Sequence, residues 1–155
     1  MATTFSLAGS LRLTPKVVDT LNLTDVTDTA TVNSAITLAD GTGADQANRY
    51  WKDIRTVAGG ATVTVNLEAL PLNVFTGTGT LNLAKQKVVY LRNASATKTL
   101  TVAMGTSLTA TLGPGGVLYA ARPDATAWAE DSLTITNTAG AAADVEIHIC
   151  GVKAT

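Results

Sequence analysis

His148 is the one histidine of the chain, and it stands in the run Val145-Glu146-Ile147-His148-Ile149-Cys150. In an extended strand successive side chains alternate between faces, so Glu146, His148 and Cys150 share one face and Val145, Ile147 and Ile149 the other. A carboxylate, an imidazole and a thiol are all metal ligands. Side chains at i and i+2 stand about 7 Å apart, however, and the outer pair about twice that, too far for one ion to gather all three. The same face reads more simply as an exposed or interfacial strand surface. A Ser-His-Asp triad would have to use His148, and the chain lacks the Gly-x-Ser-x-Gly elbow that presents such a serine. Cys-His catalysis needs the two groups to face each other, which neighbours on one strand do not. Asp124, Glu130 and Asp131 lie near turns, and Asp25 and Asp28 near the N-terminus. A glycosidase cleft built on such carboxylates needs aromatic subsites, and the chain has two Trp, three Tyr and two Phe in all. Asp40-Gly41-Thr42-Gly43-Ala44-Asp45 fits neither a phosphate loop nor an EF-hand, and reads as a turn. These residues predict no enzyme, no metal and no cofactor.

One segment is chemically dense. In Asn48-Arg49-Tyr50-Trp51-Lys52-Asp53-Ile54-Arg55-Thr56, a strand would place Arg49, Trp51, Asp53 and Arg55 on one face and Tyr50, Lys52 and Ile54 on the other. An arginine could stack on Trp51, and Asp53 could pair with a flanking arginine. Tyr, Trp and Arg are the residues enriched at interface hot spots. Arg49, Tyr50, Trp51, Asp53 and Arg55 are therefore candidate interface residues, with Trp51 as a core anchor rimmed by charge the competing reading.

The elements that position these groups must be strands. Of 155 residues, 27 are Thr and 25 Ala, while Glu and Lys number only 3 and 6. β-Branched residues pack well on a pleated surface. Period-two alternation marks Thr62–Leu67, Thr99–Met104, Leu108–Leu112, Leu133–Thr136 and Val145–Cys150. Val88-Val89-Tyr90-Leu91 is apolar on both faces, as a central strand would be. Shorter strands are expected at Val117–Ala121 and Thr126–Glu130. Gly59-Gly60, Gly77-Thr78-Gly79, Gly113-Pro114-Gly115-Gly116 and Arg122-Pro123-Asp124-Ala125 supply breaks. Roughly nine strands from Asp53 onward, with no long helical pattern between them, predict a mainly antiparallel β-sandwich, all-β and jelly-roll-like in its possible topology.

Residues 1–47 are richer in Thr, Asp, Asn and Ser, with short strands expected around Leu11, Leu13, Val17, Leu21 and Leu23 and over Thr31–Leu38. The expected organisation is an extended N-terminal arm over 1–47 and a sandwich domain over 48–155. The arm is either a solvated extension or a strand that completes a neighbour's sheet.

Charge and hydropathy narrow the function classes. Net charge is -1 and charged residues are 15%, so there is no positive field to drive nucleic-acid binding. No 18-residue apolar run predicts a membrane-spanning helix, and the N-terminus shows no basic and apolar leader pattern. A hydrophobic content of 46% excludes a disordered chain. The lone Cys150 excludes a disulfide framework and suits assembly in a reducing cytoplasm.

Asp40-Gly41-Thr42-Gly43-Ala44-Asp45-Gln46-Ala47-Asn48, followed by Trp51-x-Asp53-x-Arg55-Thr56, resembles a motif of small structural proteins encoded in tailed-phage and prophage genomes. Pro114-Gly115-Gly116-Val117-Leu118, followed by Pro123-Asp124-Ala125-Thr126-Ala127-Trp128, is similar to the C-terminal half of those proteins, where it sits between a strand of the Lys87–Asn93 type and a final strand ending in Gly, here Gly151. The resemblance covers roughly residues 37 to 151 and departs at Tyr50-Trp51-Lys52, which is more basic around the Trp. It implies a non-enzymatic virion component, of head or tail. Together with the polar arm and the missing active site, the expected function is a capsid decoration (cement) protein, made in the host cytoplasm, that binds the major capsid protein at the capsid surface, self-associates as a homo-oligomer and stabilises the head. The alternative is a tail-tip or fibre-associated module recognising host-surface glycans through Trp128 or Trp51.

Overall fold

The computed structural model describes residues 6–13, 16–20, 25–29, 32–74 and 77–153. In chain order the strands are β1 (Leu7–Leu13), β2 (Lys16–Thr20), β3 (Asp25–Thr29), β4 (Val32–Asp40), β5 (Gln46–Ala47), β6 (Arg49–Val57), β7 (Thr62–Asn66), β8 (Leu70–Val74), β9 (Gly77–Leu81), β10 (Leu83–Asn93), β11 (Leu100–Met104), β12 (Leu108–Leu112), β13 (Val117–Ala121), β14 (Ser132–Asn137) and β15 (Ala143–Lys153). The fold is an all-β sandwich. One four-stranded sheet has the order β13-β10-β15-β6 and the other β12-β11-β14-β7. Their pairings are antiparallel, and only the short β4–β5 contact is parallel. The two four-stranded sheets share one hydrophobic core, which makes the sandwich.

The alternating residues explain the packing. Val145, Ile147 and Ile149 of β15 point inward with Val89 and Leu91 of β10, and meet Val102, Met104, Leu133 and Ile135 of the opposite sheet. Each such side chain contributes about 1.5–3 kcal/mol on full burial. The outer face of the second sheet carries Thr62, Thr64, Thr101, Thr109, Thr111, Thr134 and Thr136 in cross-strand rows. Thr62 and Thr136 bridge hydroxyl to hydroxyl at 2.8 Å. Many of the chain's threonines are thus the solvent half of an alternating pattern.

The first sheet is covered on its outer face as well, over part of its width. Leu38 of β4 and Ala47 of β5 are buried against Val88 and Cys150, with Leu7, Ile36, Tyr119 and Ala121 packed around them. That second layer is why Val88 and Val89 can both be apolar although they point opposite ways. It also puts residues of the segment before Asn48 in contact with the sandwich.

The turns are held by four buried polar side chains, each with its hydrogen bonds made. Asn93 donates to the carbonyls of Lys98, Leu112 and Gly113, and Asn137 to those of Val57 and Ala141. Gln86 donates to Leu83 and Glu130 carbonyls and accepts from the Glu130 N–H. Lys87 is fully buried, and its ammonium donates to the carbonyls of Gly43 at 3.1 Å, Pro123 at 3.1 Å and Asp124. Burial lowers its pKa below the ordinary value, with the Asp124 charge opposing. The Asp45 N–H also donates to the Pro123 carbonyl at 2.8 Å. The Asp40–Asn48 and Pro123–Trp128 stretches, far apart in sequence, therefore meet around one lysine.

Several expectations change. Thr126–Glu130 is not a strand; only a bridge between Trp128 and Gln86 forms there. The Asp124 carboxylate draws in the Ala127 N–H at 2.6 Å and the Thr126 hydroxyl at 2.8 Å, and Ala127 sits at φ 48, outside strand geometry. Gly77 and Gly79 are not a break but lie in β9, paired with Val74 and Leu72. The β8–β9 hairpin brings the strands after Asn48 to ten. In the N-terminal region the expected strands at Leu11, Leu13 and Val17 fall in β1 and β2, whereas Leu21, Leu23 and Thr31 lie outside the described residues.

Candidate functional site

Register aligns the outer face of the first sheet in rows. Tyr119, Tyr90, His148 and Lys52 form one row across β13, β10, β15 and β6. Ala121, Val88, Cys150 and Tyr50 form the row on one side of it, and Val117, Arg92, Glu146 and Ile54 the row on the other. The β1–β4–β5 layer packs on Val88, Cys150, Ala121 and Tyr119 and leaves Tyr50, Ile54 and Val117 exposed. A concavity of about 660 Å³ lies where that layer stops. All three tyrosines, the one histidine and the one cysteine line it, with Leu7 and Gly9 of β1 as its far wall. A second hollow of about 370 Å³ continues past His148 and Glu146 toward Lys52 and Ile54.

A hydrogen-bonded chain runs across this face. The Tyr50 hydroxyl bonds His148 Nδ1 at 2.5 Å, and His148 Nε2 bonds Glu146 Oε1 at 2.8 Å. An ionised carboxylate only accepts, so Nε2 carries a proton, and in the neutral imidazole Nδ1 then accepts from the phenol. Arg92 closes the chain at 3.8 Å from the other Glu146 oxygen. The hydrogen bond from His148 holds the Glu146 carboxyl below its ordinary pKa; partial burial opposes, and Arg92 and Lys52 add to the lowering. The Tyr90 ring meets the imidazole edge-on, centroids 5.3 Å apart and planes at 87°.

The order phenol, imidazole, carboxylate has the form of a nucleophile, base and orienting acid. Its electrostatics run against that use. Burial raises the pKa of the Tyr50 phenol, with the charges of Cys150 and Glu146 adding. Burial likewise pushes the Cys150 thiol up to about 12. Activation requires the opposite shift. The chain is suited to fixing side-chain positions and to offering hydrogen bonds. Among the described residues no group of three His, Cys, Asp or Glu side chains is placed to hold a metal ion.

The candidate interface residues separate as alternation requires. Trp51 turns inward, 4% exposed, and its indole N–H donates to the Pro71 carbonyl at 3.1 Å. Asp53 and Arg55 follow the same side but lie at the sheet edge, half-exposed, as an ion pair at 2.6 Å. Arg49 donates to the Asn48 carbonyl at 2.6 Å. Tyr50 alone of the five turns to the outer face. Trp128 packs half-buried against the main core. Among the described residues the exposed large apolar side chains are Tyr50, Ile54 and Val117, 42, 67 and 52% exposed. All three belong to this one face. Sequence reasoning placed Glu146, His148 and Cys150 together but missed Tyr90 and Tyr119. The outward parity of Tyr90 was readable from Val89 and Leu91 and that of Tyr119 from Leu118; the register that lines both up in one row with His148 was not.

No protein-family model, curated protein or solved structure matches this chain.

Proposed function

We propose that this chain is a non-enzymatic virion structural protein of the decoration type, which docks on the major capsid protein shell through the outer face of the β13-β10-β15-β6 sheet and reinforces the head. The observation that carries the reading is the gathering of Tyr50, Ile54 and Val117 on that face, around Arg92, Glu146 and Lys52. Apolar side chains ringed by paired charges are what a protein partner buries. Two further features support it. The turns are locked by fully bonded buried amides and a buried lysine, so little ordering is left to oppose docking. The two stretches that resemble phage structural proteins are joined in space at Lys87. Homo-oligomers on such a shell would reuse the same patch in each copy.

The test is addition of purified protein to particles that lack it. The native chain should bind and raise the temperature at which particles release DNA. Ile54→Asp and Val117→Asp, both at exposed positions, should fold normally and fail to bind. Equal binding by these variants would sink the docking face, and no binding by the native chain would sink the decoration reading.

A further inference from the structure

We propose that the tyrosine-lined concavity beside His148 is a binding site for a neutral saccharide ring. Its volume, about 660 Å³, lies within the roughly 300–1,000 Å³ of ligand pockets. Its walls are aromatic and apolar side chains: Tyr90, Tyr119 and Val88 from the sheet and Leu7 from β1. Its polar groups, the Tyr50 hydroxyl, the imidazole and the Glu146 carboxylate, converge on one side as a connected chain.

Charge decides among ligand classes. Glu146 is matched by Arg92 and hydrogen-bonded by His148, and Lys52 stands opposite His148 across the β15–β6 pairing. A cation would have to compete with partners already in place, and an anion would meet the carboxylate. A wholly apolar ligand would strip water from the carboxylate and phenol without replacing its hydrogen bonds, which costs free energy. A sugar ring presents a C–H face to the negative face of an aromatic ring and hydroxyls at its edge. It satisfies both sides of this cavity. The tyrosines thereby take the part that the sequence assigned to Trp51 or Trp128, of which the first is buried and the second packed on the core.

This inference does not depend on capsid docking. The experiment is saturation-transfer NMR on the full chain with glucose, galactose, mannose, rhamnose and N-acetylglucosamine, and with tetramethylammonium and p-cresol as cationic and apolar probes. At least one sugar should receive transfer into its ring C–H protons. Tyr119→Ala, Tyr90→Ala and Gly9→Val should each abolish it; a Cβ at Gly9 would already lie 3.4 Å from the Tyr119 hydroxyl oxygen, so the valine methyls narrow the cavity without removing a wall. Val117→Asp, which lies on the proposed docking face but lines neither hollow, should leave it intact. Absence of transfer to every sugar, transfer to tetramethylammonium or p-cresol alone, or sugar transfer that survives all three cavity variants would overturn the proposal.

Discussion

Tyr50 and His148 lie on adjacent antiparallel strands but are not directly opposed: Tyr50 pairs with Cys150, and His148 with Lys52. The phenol reaches its imidazole on the diagonal, at 2.5 Å. Diagonal neighbours on one face are within reach of long aromatic side chains. This one contact ties the edge strand β6 to β15 on the side away from the core, and it uses the imidazole nitrogen that Glu146 leaves free.

Tyr50→Phe keeps the ring and removes the donor. The expected cost is about 0.5–1.5 kcal/mol in denaturant unfolding, the net worth of one such bond. The His148 Nδ1 resonance should shift in nitrogen NMR. An unchanged midpoint and an unchanged shift would show that the contact is not formed.

Acid should weaken the fold through Asp124. Its carboxyl is held at about 2, against an ordinary 3.8, chiefly by the Ala127 N–H, then by the Thr126 hydroxyl and Arg122. The folded state thus binds its proton later than the unfolded chain. The resulting stability is fully present above pH 3.8 and is lost as pH falls toward 2. Glu146, also lowered, acts in the same direction. Thermal melts from neutral pH to pH 2 should show a falling midpoint in that window, and Asp124→Asn should flatten the decline. An identical slope in the variant would assign acid sensitivity elsewhere.

Lys87→Met should leave the part-buried Gly43 and Asp124 carbonyls without their ammonium donor, while Pro123 keeps only the Asp45 N–H. Even one unpaired carbonyl costs about 1–3 kcal/mol, so the loss should exceed that of a surface substitution several-fold. Amide exchange should accelerate first at Ala39, Gly41 and Asp45, whose N–H bonds hold the turn that Lys87 anchors. Unchanged exchange at those amides would refute the anchor.

Gly151→Ala addresses a close approach between strands. A Cβ there would come within 2.1 Å of the Lys85 carbonyl oxygen, where the β10–β15 register shifts. Neither backbone can yield cheaply, and a loss of about 1–3 kcal/mol is expected, as for overpacking in a core. Full stability in a denaturant series would mean the strands can separate without cost.

How much of this was legible depended on whether a residue's environment is local. Val145, Ile147 and Ile149 announce their strand because burial follows from parity alone. The Thr faces are legible for the same reason. Thr126–Glu130 misleads because Asp124 bends the chain through side-chain bonds that no alternation pattern records. The β8–β9 hairpin is hidden by Pro71, Gly77 and Gly79, which lower the strand signal although a two-stranded ribbon tolerates them. The tyrosine site needs the register of β13, β10, β15 and β6 at once, and pairing across distant strands is not written in any one of them.

Immunogold labelling of intact purified virions with an antibody to this chain tests placement at the capsid surface most directly. A decoration protein gives regularly spaced label over the head, and that is the expected result. Label confined to the tail, or absent from the particles, would contradict it.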